Sequence, residues 1–98
     1  MEESLIYEIL SAVEEIPAGQ AATYGQIAAL IGREKNSRLV GKVLSRAELY
    51  GDYPCHRVVN HAGRLAPNFA SQEKLLAREG VTLKPNGCVD MKKYKWDV

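Results

Sequence analysis

A chain of 98 residues, 46% hydrophobic and with a formal charge of +1, is expected to fold as one domain, residues 1–98, around one modest core. It holds no apolar run near the ~20 residues that a membrane span needs, and its acidic start, Met1-Glu2-Glu3-Ser4, lacks the basic region of a signal peptide. Two cysteines make no disulfide framework, so the expectation is a reduced, cytoplasmic protein.

Residues 3–16 read as an amphipathic helix, with Leu5, Ile6, Ile9, Leu10 and Val13 at helical spacing and glutamates on the other face. Pro17-Ala18-Gly19-Gln20 ends it. Thr23 suits the N-cap of a second helix, about Tyr24 to Ile31, closed by Gly32. Arg33-Glu34-Lys35-Asn36 follows as a polar turn, and Ser37 is the expected cap of a third helix, about Arg38 to Arg46. Helix, short turn and helix with a basic outer face make a helix-turn-helix pattern. Glu48 to Pro54 reads as irregular. Val58-Val59, the turn Asn60-His61-Ala62-Gly63 and Arg64-Leu65 read as a short hairpin or wing. A last helix is expected over 70–79, with Leu75 and Leu76 inward and Gly80 closing it. The fold class is therefore mainly α with a small β-hairpin, a winged helix-turn-helix-like DNA-binding domain.

Charge is unevenly spread. Residues 1–32 carry five acids and no Lys or Arg, a charge of −5. Residues 33–64 carry seven bases against three acids, +4, and five of those bases lie between Arg33 and Arg46. A basic turn and helix in a nearly neutral chain is the electrostatic footprint of a polyanion-binding face.

Pro54-Cys55-His56-Arg57-Val58-Val59 sets a thiol beside an imidazole and a guanidinium. A thiol becomes a strong nucleophile only as thiolate, and basic neighbours favour that form. With Thr23-Tyr24-Gly25-Gln26-Ile27-Ala28, Asn36-Ser37-Arg38-Leu39-Val40-Gly41, the turn Asn60 to Gly63, and Leu75-Leu76 followed by Glu79-Gly80, this string resembles the O6-alkylguanine-DNA alkyltransferase family over nearly the whole chain.

The resemblance implies a protein that binds double-stranded DNA, flips O6-alkylguanine and takes the alkyl group irreversibly onto Cys55. His56 would remove the thiol proton through a water and Glu79 would orient the imidazole. Tyr24 would stand at the flipped nucleotide and donate to the leaving guanine. Arg38 would fill the space left in the base stack. The DNA-binding set becomes Tyr24, Ser37, Arg38, Gly41, Lys42 and Arg57. Gly41 fits close approach to DNA or helix–helix packing, and Arg57 either structure or phosphate contact. Neither a cofactor nor a metal is expected, because Cys55, His56, His61 and Cys88 lack paired ligand spacing. The Tyr94-Lys95-Trp96 tail is expected to pack on the domain.

Two features depart from the full alkyltransferases. They carry an extra N-terminal domain that is not expected here, and an aromatic-Ser-Gly-Gly loop where this chain reads Arg64-Leu65-Ala66-Pro67-Asn68-Phe69-Ala70-Ser71. A short body with a Tyr-x-Trp tail is similar to the alkyltransferase-like proteins, lesion sensors that hand the damage to nucleotide excision repair and have tryptophan or another residue where this chain has Cys55. The alternative function is thus a non-enzymatic sensor. A transcriptional helix-turn-helix protein and a small cysteine hydrolase are weaker rivals. The expected working state is a monomer.

Overall fold

The structure, a computed structural model, describes residues 2–98. Helix α1 spans Glu3–Glu14 and buries Ile6, Ile9, Leu10, Ala12 and Val13, one stripe of a 3.6-residue repeat. Strand β1, Ala22–Thr23, leads into α2, Tyr24–Leu30. Thr23 caps α2 reciprocally. Its Oγ1 accepts from the Gln26 N–H at 3.0 Å, and Gln26 Oε1 accepts from the Thr23 N–H at 2.9 Å, which satisfies two otherwise orphaned donors. Helix α3 spans Ser37–Leu44, with Val40 and Val43 buried. Here the sequence expectation is corrected: Asn36 occupies the N-cap and makes no side-chain cap bond, while Ser37 is already helical.

A 3₁₀ turn, Ala47–Leu49, and a second one, Cys55–Arg57, precede strand β2, Val58–Val59. The expected hairpin partner of β2 is also corrected. Val58-Val59 pairs in parallel with β1, in the register Ala22↔Val58 and Thr23↔Val59. Asn60 does close a tight turn, its Oδ1 accepting from the Ala62 and Arg64 N–H groups at 2.9 and 2.8 Å. The Asn60 N–H also donates to the Arg64 carbonyl at 3.1 Å, but no strand forms at Arg64-Leu65, and the Val89 N–H donates to the Gly63 carbonyl at 2.8 Å. Gly63 has φ +83°, and a Cβ there would run into the Val89 carbonyl, so both conformation and space require glycine.

Neighbouring strand residues point to opposite faces, and the two short strands use this to separate two apolar cores. Ala22 and Val58 face the cluster of α1, α2 and α3, whereas Ala21 and Val59 face Leu76, Val81 and Val89. Leu76 belongs to α4, Gln72–Arg78. A Schellman closure ends α4: the Gly80 N–H donates to Ala77 and the Val81 N–H to Leu76, both at 3.0 Å. That closure fixes Glu79 at the C-cap. After α5, Met91–Tyr94, the tail returns to the domain. The Ala21 N–H donates to Tyr94 and the Trp96 N–H to Ala21, at 2.8 and 2.7 Å. The Gln26 amide also donates to the Trp96 carbonyl at 2.9 Å, and the Trp96 side chain packs on the first core. No helix is long and apolar enough to cross a membrane among the described residues.

Candidate functional site

The turn Cys55–Arg57 is pinned at both ends. The Cys55 N–H donates to the Tyr53 carbonyl at 2.8 Å and the Arg57 N–H to that of Pro54 at 3.0 Å, and β2 follows without a spacer. Successive side chains in so tight a turn diverge, which divides the motif. Cys55 enters the wall of a cavity of about 540 Å³, shared with Tyr24, Gly41, Asp52, Tyr53 and Phe69, a volume in the range of small-ligand sites. His56 and Arg57 turn instead to Glu79.

Burial pushes the Cys55 thiol up to about 11, and the negative charge of Asp52 adds to the shift, against a smaller lowering by a backbone hydrogen bond. At neutral pH the resting thiol is therefore protonated, and attack needs a base to take its proton. The Tyr24 phenol is raised too, by burial first and then by Cys55, so it remains a hydrogen-bond donor.

Glu79 is the hub beside the cavity. Its Oε2 lies 2.9 Å from His56 Nε2 and accepts from Arg57 NH2 at 2.6 Å, while Oε1 accepts from Arg57 Nε at 2.9 Å. The Arg57 guanidinium holds this carboxyl down to about 2, with His56 contributing and partial burial opposing. An ionised carboxylate only accepts, so Nε2 of His56 carries the proton that it shares with Glu79. In the neutral ring Nδ1 is then the free base.

The remaining NH1 of Arg57 donates to the Ile16 carbonyl at 2.8 Å. Of the two roles that the sequence left open for Arg57, the structure supplies the internal one. All three guanidinium nitrogens are engaged within the protein, and the side chain is 17% exposed.

Helix α3 borders the cavity through Gly41 and Leu44 and leaves Ser37, Arg38 and Lys42 exposed. Among the described residues, neither Arg38 nor Lys42 forms an ion pair. A Cβ built on Gly41 would meet only the Tyr24 ring, at 3.8 and 3.9 Å, which is ordinary contact. Internal packing thus does not demand glycine at this position. Cys55, Tyr24 and Gly41 share the cavity, and His56, Arg57 and Glu79 form the adjoining cluster. Ser37, Arg38 and Lys42 stand outside both, on the open face of α3.

Reasoning from sequence overlooked Gln72. It is fully buried, and its amide links the segment Ala66–Phe69 to the cysteine turn. Oε1 accepts from the Ala66 N–H at 2.7 Å, and Nε2 donates to the carbonyls of His56 and Val58 at 3.1 and 3.0 Å. The available signal was a glutamine four residues before Leu76, on the face where the helix turns inward. Asp52, Tyr53 and Phe69 were also overlooked as cavity walls. They come from irregular segments that carry no periodic pattern.

Comparison with known proteins places these features in context. Residues 5–81 match the family described as 6-O-methylguanine DNA methyltransferase, DNA binding domain. The DNA base-flipping protein of Escherichia coli (strain K12) is 35% identical over 98% of this chain and 77% of its own length. A methylated-DNA–protein-cysteine methyltransferase of Methanosarcina acetivorans is 41% identical over 74% of this chain, which spans 48% of that protein. Among solved structures, Schizosaccharomyces pombe Atl1 in complex with damaged DNA containing O6-carboxymethylguanine superposes with a TM-score of 0.86, at 27% identity, covering 100% of this chain and 99% of that one.

Proposed function

This chain belongs to the 6-O-methylguanine DNA methyltransferase family, and from that premise we propose that it binds duplex DNA through α2 and α3, flips O6-alkylguanine into the cavity and accepts the alkyl group on Cys55. The observation that carries this reading is the shared cavity: the Cys55 thiol and the Tyr24 ring line one recess at the edge of the helix with free basic residues. Arg38, at the first turn of α3, is the side chain to fill the vacated base stack, since a planar cation both stacks and hydrogen-bonds. Lys42 lies one turn beyond Arg38, and Ser37 opens the helix, all three exposed; Lys42 and Ser37 suit phosphate contact.

In the transfer step His56 removes the thiol proton, through a water, with its imidazolium stabilised by Glu79. The thiolate attacks the alkyl carbon, a C–S bond forms, and the bond from that carbon to O6 breaks. The guanine leaves with the electron pair, and the Tyr24 hydroxyl stabilises it by donating a hydrogen bond. The product is a thioether on Cys55, so each molecule reacts once. The protein works as a cytoplasmic monomer and needs neither metal nor cofactor for this chemistry.

One observation favours a second reading. A thiol pushed up to about 11 by burial and by Asp52 is poorly poised for attack, as suits a lesion sensor that recruits nucleotide excision repair. Both readings require lesion binding. The test is fluorescence anisotropy with duplexes that carry guanine or O6-methylguanine at one position. Preference for the lesion, reduced about tenfold or more by Arg38→Ala, is expected. Equal affinity for both duplexes would overturn the reading.

A further inference from the structure

The cavity has a charge character that the reaction itself does not require. Its lining contains two acids, Glu48 and Asp52, and no lysine or arginine. Among the described residues neither acid has a basic partner, because the ion pairs all converge on Glu79. The field of Asp52 reaches the thiol, where it acts with burial to hold Cys55 protonated. A substituent on O6 has to project toward the same sulfur, so it enters the same field. The bases that could offset it, Arg38 and Lys42 of α3 and Arg46 just beyond its end, are exposed like the two acids but lie outside the cavity lining. Tyr24, Tyr53 and Phe69 complete the wall, and aromatic faces attract cations.

Building on the proposed lesion cavity, we propose that Asp52 and Glu48 make it selective by charge, admitting guanines whose O6 substituent is neutral or cationic and rejecting those that end in a carboxylate. Both acids are exposed, so solvent screens part of their repulsion of a further negative charge, and a cost of about tenfold in affinity is expected. Asp52 and Glu48 are thus specificity-determining residues. They take no part in the proton relay.

The experiment compares three near-isosteric lesions in one duplex, O6-(2-hydroxyethyl)guanine, O6-(2-aminoethyl)guanine and O6-carboxymethylguanine, with unmodified guanine as reference. Affinity is read by anisotropy at fixed salt for the wild type. It is repeated with Cys55→Ser, so that transfer cannot consume the probe. The neutral and cationic lesions are expected to bind alike or with the cation ahead, and the anionic one about tenfold weaker. The double variant Glu48→Gln, Asp52→Asn should close most of that gap between the anionic and the hydroxyethyl lesion. Tight binding of all three lesions with no order among them would overturn the charge inference and leave the flipping reading intact. So would a gap that persists in the double variant. Failure to prefer any lesion over guanine would overturn both.

Discussion

Replacing Glu79 by glutamine isolates the charge at the hub of the site. The carboxylate accepts from both Arg57 and His56 and falls from an ordinary 4.5 to about 2. A depression of that size corresponds to a ceiling of about 3 kcal/mol of stability at neutral pH. The side chain is 16% exposed, so solvent screens part of this, and the glutamine Oε1 still accepts from one donor. The expected loss is therefore about 1–2 kcal/mol. In a chain of this size each kcal/mol lowers Tm by roughly 4–8 °C. The sign with pH follows from the direction of the shift. A carboxyl held low stabilises the fold fully above about 4.5 and loses that contribution as pH falls toward about 2. Thermal unfolding followed by circular dichroism should show a clear gap between wild type and Glu79→Gln at pH 7, narrowing through pH 4 and 3. Equal Tm values at pH 7, or a gap that does not change down to pH 2.5, would refute the assignment of Glu79 as an ionised hub.

Gln72→Leu should cost about 2–4 kcal/mol, because it orphans the Ala66 N–H and removes the donor to the His56 and Val58 carbonyls; urea unfolding measures it. In a Cys88→Ser background, iodoacetamide should label Cys55 slowly at pH 7 and progressively faster toward pH 11, and Asp52→Asn should move that profile to lower pH. For Lys42→Ala, the slope of log affinity against log salt on undamaged duplex should fall by about one, as read by anisotropy titrations. An unchanged slope would remove Lys42 from the phosphate face.

What could be read from the sequence was local in origin. The Thr23–Gln26 capping box lies within one helical turn, and the apolar stripes of α1 and α3 follow from helical period alone. The resemblance implied that Glu79 orients His56; the binding of Arg57 to the same carboxylate, apart from the cavity thiol, was not legible. Ser37 was misplaced by one position, since Asn36 and Ser37 are both good caps and propensity does not choose between adjacent candidates. The partner of Val58-Val59 was missed for a different reason. A two-residue strand has too little pattern to specify its neighbour, and Ala22-Thr23 lies far away in sequence. The nearby Asn60 turn does bring the Asn60 N–H to the Arg64 carbonyl, but Arg64-Leu65 adds no strand. The internal partners of Arg57, Glu79 and Ile16, are remote in sequence, so no local pattern announced them.

Transfer to Cys55 is decided by intact-protein mass spectrometry after incubation with a short duplex bearing one O6-methylguanine, with Cys55→Ser alongside. A gain of one methyl group is expected on the wild type, none on the variant, and no further gain with excess DNA. Unmodified protein that nevertheless binds the lesion duplex tightly would contradict transfer to Cys55 and make the chain a lesion sensor.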